Sequence, residues 1–202
     1  MVVNKMKVIG ITGGVGAGKT EVLHYIEKHY SCRIVIADEV AHMVKEPGHI
    51  CYEPILELLG NDVLQQDGTI DKKKMADKIF SEASGMLLKK INAVIHPAVK
   101  EYILTEIDIE RRGGHVAFFF IEAALLIEDG YTKICDELWY VFADWKIREE
   151  RIRKSRGYSD EKIMRIMKNQ SSEERFRKSC KVIIDNSKSF EETEAQVDYY
   201  LK

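Results

Sequence analysis

The chain has 202 residues, 45% of them hydrophobic and 32% charged, which is enough apolar side chain for the core of one domain and too much for a disordered tail. Its 31 Lys and Arg against 33 Asp and Glu leave a formal net charge of -2, arguing against a protein that grips nucleic acid over its whole surface. Three prolines and thirteen glycines exclude collagen-like and low-complexity chains.

The first element expected is a strand over residues 7–12. Further strands are expected at 33–37, 116–122, 137–142 and 181–184. Each is nearly continuous in apolar residues, the pattern of a strand covered on both faces by helices. Between them lie helical stripes with apolar residues three and four apart, such as Val22, Leu23, Ile26 and Tyr30, and later Val99, Ile103 and Ile107. Alternating strands and helices imply an α/β fold built on a parallel five-stranded sheet with helices on both faces. From 47 to 112 no long strand is evident, only helical patterns broken by Gly48, Gly60, the turn Gln65-Gln66-Asp67-Gly68 and His96-Pro97. That length exceeds what a crossover needs, so it reads as a helical insertion. The core is then 1–46, 113–143 and 179–202. Residues 144–178 are dense in Lys and Arg with interleaved Glu, a pattern that also fits a solvated helix face laced with ion pairs. Capping boxes at Ser171–Glu174 and Ser189–Glu192 mark two late helix starts.

Cys32, Cys51, Cys135 and Cys180 form no CxxC pair and are expected as free thiols. No secretory leader is expected, because the apolar stretch after Lys7 is short and glycine-rich. The most apolar run, 116–127, is broken by Glu122 and falls short of the ~20 residues of a membrane span. A cytoplasmic protein is expected, with neither membrane nor nucleic acid as partner.

Directly after the first strand, Gly13-Gly14-Val15-Gly16-Ala17-Gly18-Lys19-Thr20 satisfies GxxxxGK[ST] and precedes a helical stripe, the context this phosphate-binding loop requires. Glycines let successive N–H groups turn inward around an anion, and the following helix adds the positive end of its dipole. Lys19 is expected to reach the β- and γ-phosphates of ATP and Thr20 to ligate Mg²⁺, with the nucleotide contacts running on to Glu21. The run Phe118-Phe119-Phe120-Ile121 ends in Glu122, either a second Mg²⁺ ligand acting through water or a strand-end carboxylate in a surface contact. Guanine-binding NKxD is absent. A phosphoryl-transfer enzyme also needs cations on a closing lid, which makes 144–178 a lid candidate, with Arg151 and Arg156 flanking the stretch before Gly157.

The stretch from Gly10 to Thr20, Ile36-Ala37-Asp38, Glu46-Pro47-Gly48, Val94-Ile95-His96-Pro97, Ala124-Leu125-Leu126-Ile127-Glu128, Gln170 and Ile184-Asp185-Asn186 together resemble the dephospho-coenzyme A kinases. The likeness spans nearly the whole chain in the expected order. It implies a sheet of the P-loop nucleotide-kinase type, a helical insertion that binds the acceptor, a lid, and transfer of the ATP γ-phosphoryl group to the ribose 3′-hydroxyl of dephospho-coenzyme A. It further implies Asp38 as the carboxylate serving the attacking hydroxyl, and His96, Leu125 and Glu128 in acceptor binding. Members often carry Asp-Ala-Asp where this chain has Ile36-Ala37-Asp38, which leaves Asp38 alone in that motif. Ala124 stands where proline is usual. Asp38 also fits a helix N-cap ahead of Val40, Ala41 and Val44, and His96 also fits a turn before the next helix. Kinases of another nucleoside, nucleotide or small metabolite stay open as an alternative.

Overall fold

A computed structural model describes residues 6–81, 84–123, 125–168, 170 and 172–202, apart from the side chain of Arg156. Strand β1 (Lys7–Thr12) pairs in parallel with β3 (Phe118–Glu122) on one side and β4 (Glu137–Phe142) on the other. Strand β5 (Val182–Asp185) pairs in parallel with β4, and β2 (Cys32–Ile36) completes the order β2-β3-β1-β4-β5. The bounds of β1 and β4 are those expected. β2 runs Cys32–Ile36 instead of 33–37, and β3 begins at Phe118 instead of Val116. Val8, Ile9 and Ile11, Phe119–Ile121 and Leu138–Val141 are all buried, so both faces of the central strands are covered and their apolar runs have no polar alternation.

The chain divides into two compact units, one running to Val35 and resuming at Glu110, the other spanning Ile36–Ile109. In the first, α1 (Lys19–His29) and α9 (Phe190–Leu201) bury Val22, Leu23, Ile26, Val197 and Leu201 in one cluster with Ile9, Ile11, Phe120, Trp139 and Ile184. The hydroxyls of Tyr25 and Tyr30 both donate to Asp198 Oδ1, at 2.8 and 2.7 Å, tying α1 to α9. The cation-rich segment forms α6 (Trp145–Arg156), α7 (Asp160–Lys168) and α8 (Glu173–Ser179). Ile152, Ile163 and Met167 make a second small core, with Val15 and Tyr158 packed against it. Several cations there do form a solvated face: Arg153 with Glu149, Lys154 with Glu150 and Arg177 with Glu173 pair one turn apart at 2.7 Å. Ser189 caps α9 as expected, whereas the cap of α8 is Ser172; Ser171 lies outside the described residues.

The second unit holds α2 (Ala37–Met43), α3 (Tyr52–Leu59), α4 (Lys72–Ser81) and most of α5 (Met86–Gly113). It starts at Ile36, ahead of the expected insertion start at 47. The break expected at His96-Pro97 does not occur, because α5 runs through Pro97. An internal proline costs about 3 kcal/mol, but the stripe Ile91, Ile95, Val99, Ile103 and Ile107 is buried on both sides of it, at ~1.5–3 kcal/mol each. Burial of that stripe outweighs one lost backbone bond. All four cysteines are free, and among the described residues no helix is long and apolar enough to cross a membrane.

At the opposite end of β4 from its site-bearing end, Glu137 clamps three strands. Its buried carboxylate meets Lys7 Nζ at 2.7 Å, Lys181 Nζ at 3.2 Å and the Trp139 indole N–H at 2.8 Å. Burial pushes its pKa up, but the donors Lys7, Trp139 and Lys181 outweigh burial and hold it below the ordinary 4.5. The stabilisation is therefore complete above pH 4.5 and is lost as pH falls through the lower folded value. Glu137→Gln is expected to lower the unfolding free energy at pH 7 by about 2 kcal/mol and to flatten this acid limb, measured by urea unfolding across pH. Equal stability of variant and wild type at pH 7 would exclude the clamp.

Candidate active site

The strand order reverses direction at β1, which lies between β3 and β4, and the glycine-rich loop leaves the C-terminal end of this strand. That is the switch point where α/β sheets open a crevice for ligands. The loop then feeds α1 through Gly18, whose φ of +90° is left-handed. A side chain at Gly18 would also collide with Asn186 Nδ2, and one at Gly16, where φ is +79°, with the backbone of Arg148. Both positions therefore require glycine. No side chain caps α1, and the dipole of the helix points its positive end at the loop.

Lys19, half-buried, donates to the Gly13 carbonyl at 2.9 Å and pairs with Glu122 Oε1 at 3.3 Å. The end of β3 is thus brought to the loop, with the Glu122 carboxylate beside Lys19. Thr20 and Glu21 are exposed on the first turn of α1. From α6, Arg151 Nη1 reaches the Ala17 carbonyl at 3.4 Å. Arg156 closes α6, and its side chain lies outside the described residues.

Two side chains that motif spacing did not single out for the site grip the same loop. Arg148 Nε donates to the Val15 carbonyl at 3.0 Å and Nη2 donates to Gln170 Oε1. Burial pushes the Arg148 guanidinium below its ordinary value, opposed by Tyr140 and Glu173. Asn186, just past β5, donates from Nδ2 to the Ala17 carbonyl at 2.9 Å. Their signals were present: Arg148 lies three residues before Arg151 on the same helix face, and Asn186 closes the Ile-Asp-Asn segment.

Leu125 is exposed in the turns after β3, while Glu128 Oε1 pairs with Arg175 Nη1 of α8 at 3.3 Å. Ala124 lies outside the described residues. In the helical unit, Asp38 is exposed in the first turn of α2, and the N-cap there is Ile36, so Asp38 is not the cap. His96 is exposed within α5 and not in a turn. Asp38 and His42 are one turn apart on α2. Burial, then the neighbouring Lys45 and Lys72, push His42 down, and burial and Lys72 push Lys45 down. Among the described residues no three His, Cys, Asp or Glu side chains gather as a metal site.

A strand, glycine loop, lysine and strand-end carboxylate of this kind belong to many phosphotransferases. Comparison with known proteins narrows the choice. A family model described as dephospho-CoA kinase matches residues 7–192. A dephospho-CoA kinase from Dehalococcoides mccartyi is 32% identical over 197 residues, covering 98% of this chain and 97% of its own. One from Aquifex aeolicus is 35% identical over 192 residues, covering 95% and 94%. The solved structure of a dephospho-CoA kinase from Campylobacter jejuni superposes with a TM-score of 0.72 at 19% identity, covering 96% of this chain and 94% of its own, a likeness of fold alone. With the family model running from β1 into α9 and such relatives matched along nearly their whole length, the chain belongs to the dephospho-CoA kinase family.

Proposed function

We infer that the protein transfers the γ-phosphoryl group of ATP to the ribose 3′-hydroxyl of dephospho-coenzyme A, giving coenzyme A and ADP. The observation that carries this reading is the phosphate loop with Lys19 held between the Gly13 carbonyl and Glu122, in a chain of this family. The N–H groups of the loop bind the β- and γ-phosphates, and Lys19 stabilises the charge that builds up on the transferred group. Asp38 accepts the proton of the 3′-hydroxyl as its oxygen attacks the γ-phosphorus, and the bond from that phosphorus to the β-phosphate oxygen breaks to release ADP. The hard oxygen donors of the Thr20 hydroxyl and the Glu122 carboxylate suit a Mg²⁺ ion, which they would hold. Such an ion, when bound, neutralises charge on the β- and γ-oxygens.

Residues 144–178 serve as the lid, with Arg151 and Arg156 as its phosphate-facing cations, and the helical unit serves as the acceptor domain. The neighbouring ammonium groups of Lys45 and Lys72 suit an acceptor that itself carries phosphates, with His96, Leu125 and Glu128 further acceptor contacts. The site of action is cytoplasmic, with small-molecule substrates and no nucleic acid.

Purified protein with Mg·ATP and dephospho-coenzyme A is expected to release ADP and coenzyme A in equal amounts. Phosphorylation of another nucleoside or metabolite, with dephospho-coenzyme A untouched, would overturn the assignment. Lys19→Ala is expected to lower kcat on the order of a hundredfold or more, since it removes a charge contact made in the transition state. Asp38→Asn is expected to lower kcat by about a hundredfold while KM for the acceptor changes little, and an unchanged kcat would remove Asp38 from the proton transfer.

A further inference from the structure

Asn186 is 1% exposed, and its backbone N–H and both ends of its side-chain amide are engaged. Its backbone N–H donates to the Phe142 carbonyl at 2.8 Å, Nδ2 donates to the Ala17 carbonyl at 2.9 Å, and Oδ1 accepts from Thr193 Oγ1 at 3.0 Å. The chemistry fixes the direction of the amide: a carbonyl only accepts, so the NH₂ end faces Ala17 and the oxygen faces the buried Thr193 hydroxyl. The peptide joining Ala17 to Gly18 is planar and trans, so its C=O and N–H point in opposite directions. Holding the Ala17 carbonyl outward therefore turns the Gly18 N–H toward the inside of the loop. Arg148 imposes the same geometry one peptide earlier, since Nε on the Val15 carbonyl at 3.0 Å turns the Gly16 N–H inward.

We propose that Asn186 is a positioning residue for phosphate binding, which aims the Gly18 N–H through the Ala17 carbonyl while Thr193 fixes its amide, with Arg148 aiming the Gly16 N–H through the Val15 carbonyl. This rests on the reading that the loop holds the phosphates of ATP, and it is independent of the acceptor. In this set Arg148 and Asn186 act through the loop's backbone, and Thr193 acts through Asn186. Without them the loop's peptides are free to rotate, and part of the binding free energy is spent on ordering them.

ADP binding in magnesium-free buffer, followed by calorimetry on the full chain, tests the loop alone. Asn186→Asp keeps the size and the acceptor for Thr193 but replaces the donor to Ala17 with an oxygen. It is expected to weaken ADP binding about tenfold. Thr193→Val is expected to weaken it about threefold, and Thr193→Ser, which restores the hydroxyl, to recover wild-type affinity. The double variant Asn186→Asp with Thr193→Val should bind no worse than Asn186→Asp alone, because Thr193 acts through Asn186. In turnover, Asn186→Asp should raise KM for ATP and lower kcat with KM for the acceptor unchanged. A variant with a lower melting temperature but wild-type ADP affinity would make Asn186 a stability residue only and overturn the proposal. Should Asn186→Asp fail to fold, the contrast between Thr193→Val and Thr193→Ser decides, and equal affinities for those two would overturn it. A wild-type protein that binds no ADP would instead overturn the nucleotide reading on which the proposal stands.

Discussion

A loop that holds a triphosphate must turn its N–H groups inward, and peptide planarity then turns its carbonyls outward, into protein that has to satisfy them. The rest of the site is arranged around this constraint. The Gly13 carbonyl is met by Lys19 Nζ, that of Gly14 by the Ala17 N–H at 3.1 Å, that of Val15 by Arg148, and that of Ala17 by Asn186 and Arg151. These partners come from the loop itself, the start of α1, helix α6 and the end of β5. The outer face of the loop is where separate parts of the chain converge.

The sheet makes that convergence possible. With β1 at the centre, the loop emerges between β3, which delivers Glu122 to Lys19, and β4, which leads directly into α6. β5 lies beside β4, so the residue that follows it arrives next to the loop and hydrogen-bonds back to Phe142 at the end of β4. The packing repeats the arrangement: Val15 of the loop sits against the small core of Ile152, Ile163 and Met167, which joins α6 to α7. Helices α6 and α7 are thus seated on the loop by apolar contact as well as by Arg148.

Much of this was legible in the sequence because it is local. The central strands read as unbroken apolar runs, since both faces are covered, and the glycine loop is a contiguous motif whose spacing carries its chemistry. The cap at Ser189 is equally local. What could not be read depends on distance along the chain. The bonds from Arg148 to Val15 and from Asn186 to Ala17 span 133 and 169 positions, so a face shared with Arg151 could mark Arg148 but could not name its partner. Pro97 misled for another reason. Proline is a local signal for a break, and here tertiary burial of the isoleucine and valine stripe overrides it. Ser189 and Ser172 are both serine caps, yet only the former was assigned to the right residue, because adjacent serines at 171 and 172 offer two starts for one helix.

The separation of 169 positions also has a physical consequence for how the site is completed. A glycine-rich loop has more backbone freedom to lose than any other, so it adopts its anion-binding form only when external contacts hold it there. Those contacts are non-local, and they exist only after β5 has docked on β4 and α9 has brought Thr193 beneath Asn186. Fraying of α9 and β5 would therefore take the Asn186 donor from the Ala17 carbonyl while the β1, β3 and β4 pairing stayed intact, and phosphate binding would weaken before the fold was lost. Nucleotide binding opposes that fraying by the same amount that the fraying weakens binding, because the two equilibria are linked. The formal balance of charge over the whole chain says nothing about this. What tunes the loop includes a neutral amide near one end of the chain holding one carbonyl near the other.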